Sequence, residues 1–520
     1  MNKKVLKWNF IFQYGYVLTN IFNALILLPL YLKNIDASTL GVWLATGNIL
    51  AWITLTDPGV GDVLQQKIAE LSGKKLFSEI EKTIGSGFMA SSIILIISII
   101  AGFIFYFLLG AIINKDVTQY PHLQTALVIS IISIGLSLVS FSISGINQGL
   151  LNSANVAIAS IVANLVFVVL NIIFLNMRLG VMSIAYANLS RALFIIIYNM
   201  VSLQKVLVRE KLKIKLEFQH FKKFIGIFSF TSISRIISGL SASLDMIILA
   251  RFIPPAMITM YEINKRPINM TKGLVGRHSV ALMPLISNSK GKDDNQGIVN
   301  FINYQFRYYS YAALFISFVF WVTYRNLISL WTGSKQYAGD TIMVLLILNF
   351  FFSLIGYFMS NMGYALGDIK MNSMVNIFKG ILLATLLYFV ANKNGIEGTL
   401  VVSLIVVIIN DFFYFSYRLF KLGFLRTILV KNILGLWILI IPLNLLIGFG
   451  CKSFVNYLFT ENQYLPKILV SGVLFSFLFL MLLLLVDGEI RKVVRQIKDK
   501  LMPGSFYKVK SIESLENGVQ

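Results

Sequence analysis

Long apolar runs separated by short polar gaps organise this chain. A helix crossing the hydrocarbon of a bilayer needs about 20 mainly apolar residues. Runs of that order predict spans near 10–31, 40–56, 84–112, 123–148, 153–175, 180–203, 224–250, 256–285, 302–324, 341–366, 371–391, 396–417, 432–450 and 466–486. An even number of spans puts both termini on one side. The gaps are short, and the longest lie around 57–83 and 204–223. No soluble catalytic domain fits into any of them.

Composition strengthens the membrane reading. Of 520 residues, 57% are hydrophobic and 13% charged. A soluble domain of this size could not hide so much apolar surface in one core. The net charge is +22, which in a soluble protein would point to nucleic acid. Here the basic residues fall between apolar runs, so membrane orientation and anionic lipid explain them, and no nucleic-acid partner is expected. With the N-terminus inside, the inner segments hold 28 Lys and Arg, the outer loops nine and the spans eight. That bias places both termini in the cytoplasm. The first run follows Lys3, Lys4 and Lys7 with no small-residue cleavage site, which predicts a retained helix. Cys451 is the single cysteine and the three histidines are scattered, so no disulfide, metal site or cofactor is expected.

The two halves echo each other. Asn34–Trp43 resembles Phe252–Tyr261 at an offset of 218, the segment from Asn147 resembles that from Asn361 at 214, and the segment from Leu179 resembles that from Asn394 at 215. Six spans separate the copies, so the repeat is parallel, the kind that encloses a central site. The expected fold is an all-α membrane protein of about fourteen transmembrane helices, two parallel six-helix repeats plus two C-terminal helices. Its divisions are an N-terminal lobe over 1–205, a basic linker over 206–222, a C-terminal lobe over 223–420, two further helices over 421–487 and a cytoplasmic amphipathic tail over 488–520.

The chemistry lies in the embedded charges. The eight basic residues inside spans are Arg191, Arg235, Lys265, Arg266, Lys272, Arg277, Arg307 and Lys379. At about 100° per residue, Lys265 and Lys272 are nearly eclipsed on the eighth span, Arg266 and Arg277 form a second line, and Glu262 and Asn269 fall between. Each charge at mid-bilayer costs about 2.5–3.5 kcal/mol, so this arc is expected to face anions or water inside the protein. The bland alternative pairs Glu262 with Arg266 and lets the other cations snorkel. That suits Arg277, Arg307 and Lys379, near the inner ends of their spans, better than Lys265 and Arg266. The expected binding set is Lys265, Arg266, Lys272, Arg235, Arg191, Arg277 and Asn269. Asp245 and Glu262 are read as coupling or gating residues, with a bridge from Asp245 to Lys265 or Arg266 as the structural alternative. The segment Asp57–Asp62 reads as a sharp turn and close packing. It is no nucleotide loop, and no catalytic set accompanies it, so an enzyme is not expected.

Several segments together resemble a known family. Leu55–Glu70 (LTDPGVGDVLQQKIAE), Leu244–Ile263 (LDMIILARFIPPAMITMYEI), Ala281–Ser287 (ALMPLIS) and Gly363–Ser373 (GYALGDIKMNS) are similar to polysaccharide-unit (O-antigen, Wzx-type) flippases. These belong to the multidrug/oligosaccharidyl-lipid/polysaccharide exporter superfamily. The likeness runs over most of the chain, and Trp43 stands where a tyrosine is more usual. It implies a two-lobed bundle in the bacterial inner membrane that moves an undecaprenyl-pyrophosphate-linked oligosaccharide outward by alternating access. It also implies membrane lipids and polysaccharide polymerase machinery as partners, with proton or sodium coupling left open. Asn20, Asn23, Asn48, Trp43, Tyr261 and Asn269 are available to a sugar. A multidrug exporter of the same fold would favour acids in its cavity. A cell-wall lipid precursor flippase would share the cationic cavity and stays open as an alternative. A polymerase or glycosyltransferase would be expected to carry a large outer loop, which is missing here.

Overall fold

The computed structural model describes residues 19, 22, 23, 25–57, 59–120, 122–225, 244–291 and 295–492. Every regular element among them is helical. Among the described residues, ten helices are long and apolar enough to cross a membrane. The expected first and seventh spans fall largely outside the described residues, as do Asn20, the Arg235 position and the tail beyond residue 492.

The N-terminal half contains α1 (Leu25–Asn34), α2 (Ala37–Ile53), α3 (Val60–Gly73), α4 (Phe77–Ile113), α5 (Leu123–Gly149), α6 (Ser153–Asn176) and α7 (Met182–Arg209). Asp36 caps α2 by accepting the Thr39 N–H at 2.8 Å. Helix α3 is a correction, because its residues read as a polar connector. Val60, Leu64, Ile68 and Leu71 recur at helical spacing and are buried, so one apolar stripe docks α3 on α4 and α5. The turn before it is made by Asp57, whose Oδ1 accepts the Gly59 and Val60 N–H groups at 2.9 Å. A Cβ on Gly145 would stand 2.1 Å from the Gly61 carbonyl oxygen, so the glycine lets α5 lie directly against α3.

After an extended stretch and α8 (Phe218–Ile225), the second half comprises α9 (Leu244–Phe252), α10 (Pro255–Gly291), α11 (Asn295–Thr332), α12 (Asp340–Ala365) and α13 (Ile369–Val406). Helix α13 breaks at Gly395, whose φ of 53° with ψ of −136° suits only a residue without a side chain. It then runs through a π-helical turn, Val407–Tyr414, into α14 (Phe415–Lys421). Helices α15 (Thr427–Leu458) and α16 (Tyr464–Val486) pack on each other and on α11. Helices α5 and α12 end at Gly149 and Ala365, and each is followed by a left-handed residue, Leu151 or Gly367, before the next helix.

Helix α10 has 37 residues, about 55 Å at 1.5 Å per residue. Its charges keep it from counting as apolar. Pro267 sits inside it without an N–H to donate, and the Tyr324 hydroxyl donates to the nearby Asn264 carbonyl.

The two halves are sealed where α2 meets α9 and α10, at the end opposite the basic connectors. Thr259 donates to the Ala37 carbonyl at 2.8 Å. Arg251 donates to the carbonyls of Ala111 and Ile112 at 2.7 and 3.3 Å, where a cation meets the C-terminus of α4. Trp331 donates to the Leu25 carbonyl at 2.7 Å. Gly41 touches Pro255 so closely that a Cβ there would lie 1.8 Å from the Pro255 oxygen.

Candidate functional site

A cavity of about 630 Å³ lies in the second half between α9, α10, α12 and α13. Helix α10 supplies Tyr261, Lys265, Asn269, Lys272 and Arg277 to its wall, and Asp245 comes from α9. The Asp245 carboxylate accepts from the Lys265 ammonium and, at 2.7 Å, from the Tyr261 hydroxyl. Consecutive helices bring these groups together, so the partner is supplied locally. Lys265 also stands 5.5 Å from the Tyr261 ring centre. Lys272 and Arg277 form no hydrogen bond or ion pair among the described residues. Arg277 and Asn269 are exposed to the cavity.

A second cavity of about 450 Å³ adjoins the first and shares Lys272, Ser353 and Tyr357 with it. It continues to Asn361 and Tyr364, close to the turn between α12 and α13 on the basic side. Here Lys379 reaches both oxygens of Asp411 at 2.7 and 2.6 Å. The π-helical turn projects Asp411 toward α12, and Gly356 makes room for it. A Cβ at Gly356 would stand 2.3 Å from the Asp411 Cβ.

A third pocket, about 260 Å³, lies between the halves. The N-terminal half lines it with Asn23, Tyr31, Trp43, Phe167, Asn188 and Arg191, and Arg266 reaches in from α10. Arg191 stands 5.3 Å from the Phe167 ring centre and donates to Asn164 Oδ1 at 3.5 Å. Tyr31 donates to Asn171 at 2.9 Å.

The predicted cationic arc therefore splits. Lys265, Lys272, Arg277 and Asn269 share the large cavity with Asp245, while Arg266 turns away to join Arg191. Glu262 lines none of these three cavities. It stays within Coulombic reach of Arg266 without forming an ion pair among the described residues. Arg235 lies outside the described residues, as does the Asn48 side chain.

Two readings are corrected. Lys379 and Arg307 do not simply snorkel. Lys379 pairs with Asp411, and Arg307 lies 3.5 Å from Asp487, which also accepts from Tyr311 at 2.6 Å. Sequence reading overlooked Asp411. The available signal was its depth, since it and Lys379 sit at similar distances from the ends of neighbouring predicted spans.

At the basic end, Glu81 on α4 holds the stretch between α7 and α8. It accepts the Lys213 N–H at 2.8 Å and bridges Lys215 at 2.5 Å. Those contacts, with Lys215 first, hold its carboxyl below the usual range.

A family model described as "Polysaccharide biosynthesis protein" matches residues 11–290. The chain belongs to the polysaccharide biosynthesis protein family. No curated protein sequence matches it. Among solved structures, the lipid II flippase MurJ in an inward closed conformation is similar at 18% identity, with a TM-score of 0.63 over 90% of this chain and 98% of that one. An inward-facing multidrug resistance MATE family transporter of the MOP superfamily gives 13% identity, a TM-score of 0.60, and coverage of 77% and 95%. The Vibrio cholerae MATE transporter VcmN in its bent form gives 15%, 0.52, and 82% and 99%. At these identities the likeness is one of fold. Family, fold and apolar helices together make this polysaccharide biosynthesis family member a multi-pass membrane protein with a transporter architecture.

Proposed function

We propose that this protein is a flippase that carries an undecaprenyl-pyrophosphate-linked oligosaccharide from the inner to the outer leaflet of a bacterial inner membrane. One observation carries the reading. Interior cations include those with a carboxylate partner, Lys265, Arg307 and Lys379, and those with none among the described residues, Arg266, Lys272 and Arg277. A half-buried charge left unpaired is expensive, so Arg266 and Lys272 call for an anion brought from outside, with Arg277 exposed to the same cavity as Lys272. A diphosphate supplies it, with Arg offering a bidentate fork and Lys a compact charge. The adjoining cavities at Lys272 give that anion a groove leading toward the basic connectors, taken as cytoplasmic. Closure at the opposite end suits a state that loads from inside. The lobes at 1–205 and 223–420 would then rock about the seam, with Asp245 as a coupling or gating residue that releases Lys265.

The test is a strain lacking the protein, complemented with wild type, Lys272→Ala or Arg266→Ala. Lost surface polysaccharide with accumulated lipid-linked units, unrestored by variants that insert normally, supports the reading. Normal surface polymer with hypersensitivity to cationic dyes overturns it in favour of drug export.

A further inference from the structure

We infer that the pocket between the lobes is a subsite for an acidic sugar, a pyranose bearing a carboxylate. The inference rests on the flippase reading and deepens it by naming the part of the substrate that the N-terminal lobe reads.

The pocket volume is about 260 Å³. A cavity needs only about 10–15 Å³ of such volume to hold one water, so this space has room for a hydroxylated ring. Its wall mixes ring surfaces, from Trp43 and Phe167, with hydrogen-bonding groups, from Asn188, Arg191 and Arg266. A pyranose has an apolar C–H face and a rim of hydroxyls, and such a wall matches both. Asn188 lies one turn before Arg191 on α7 and has no hydrogen-bond partner among the described residues. It is placed to bond a ring hydroxyl.

Charge narrows the choice. Among the described residues, two guanidiniums line the pocket and no carboxylate does. In the neighbouring cavities Lys265 and Lys379 each have an acid in contact. Glu262 stands within Coulombic reach of Arg266 but does not line the pocket, so a neutral sugar would cover this guanidinium with no carboxylate in contact, which is costly. A ring carboxylate removes that cost, because a guanidinium fork takes both carboxylate oxygens side by side. Arg191 is already oriented by Asn164 and the Phe167 ring.

The diphosphate is the competing anion. It is bonded on two sides, to lipid and to sugar, so it needs a groove, and the joined cavities at Lys272 and Tyr357 form one. A ring carboxylate is a terminal group and needs only a pocket.

The experiment follows thermal unfolding of the purified protein in detergent during titration with sodium glucuronate, glucose or sodium pyrophosphate. Glucuronate should stabilise wild type at concentrations where glucose does not. Arg191→Gln should weaken glucuronate binding about tenfold or more, the scale of a lost charged hydrogen bond, with a clearly smaller effect on pyrophosphate. Asn188→Asp puts a negative charge in the pocket without removing a cation and should give the same split. Equal responses to glucose and glucuronate overturn the proposal. So does a loss of pyrophosphate binding in Arg191→Gln as large as that for glucuronate, which would make the pocket a phosphate station. A wild type that responds to pyrophosphate but not to glucuronate sinks the subsite alone. One that responds to neither anion sinks the flippase reading as well.

Discussion

The seam at Gly41 gives the sharpest test of how the lobes are held. In Gly41→Ala, the new Cβ begins 1.8 Å from the Pro255 carbonyl oxygen and 2.5 Å from its carbon, both backbone atoms. Real Cβ contacts essentially never fall below 3.0 Å. No side chain can rotate away, so α2 and α10 must part. Overpacking of this kind costs about 1–3 kcal/mol. Because the strain exists only when the seam is closed, it should raise the open fraction about 5- to 150-fold. Thr259 sits in the seam, fully buried, with its hydroxyl on the Ala37 carbonyl. With the native Cys451 changed to Ser, a Thr259→Cys reporter would be labelled by an impermeant maleimide only when the seam opens. The expected result is faster labelling in the Gly41→Ala background. Equal labelling rates, with both proteins folded, would refute the claim that this contact holds the lobes together.

Two further outcomes follow from the ion pairs. Asp411→Ala leaves Lys379, whose side chain is 23% exposed, without its acid. It should lower stability by about 3 kcal/mol, the low end for breaking a buried pair. Adding Lys379→Met should recover most of the loss in a detergent melt, and no recovery would show that the pair is not what Asp411 serves. At the basic end, Glu81 has its carboxyl held low by Lys215 and the Lys213 N–H. A depressed folded pKa contributes stability above the ordinary glutamate value and loses it as pH falls through the lowered one. Limited proteolysis of the 211–217 stretch should therefore quicken on acidification in wild type. In Glu81→Gln it should be quick at all pH values, and a pH-independent rate in wild type would contradict the pinning.

How far the sequence led depends on what its signals measure. Apolar run length located the helices well because lipid imposes it on every span. It missed α3, whose buried stripe of Val60, Leu64, Ile68 and Leu71 is too short and too charged to read as a crossing. It placed α10 as a span at 256–285, shorter than the 37 residues the helix has. The cationic arc was legible from helical periodicity. Its division between two cavities was not, because Arg266 and Arg277 lie close in angle on the helix wheel yet at different heights, and height decides which neighbour each meets. The pairing of Lys379 with Asp411 needed the π-helical turn, which no periodicity announces.

The ion pairs also bear on how such a chain enters a bilayer. Asp245 and Lys265 lie 20 residues apart, and Lys379 and Asp411 lie 32 apart. In each case the partners stand on helices that follow one another in the chain. A helical hairpin can therefore leave the insertion machinery already neutralised, sparing about 2.5–3.5 kcal/mol for each charge presented to lipid. Arg307 has no such early partner. Tyr311 and Asp487 are 176 residues apart, so the carboxylate that Arg307 meets emerges only after α16. Assembly of α16 on α11 then becomes the step that gives Arg307 its carboxylate, and a chain truncated before Asp487 would present quality control with that cation unpaired.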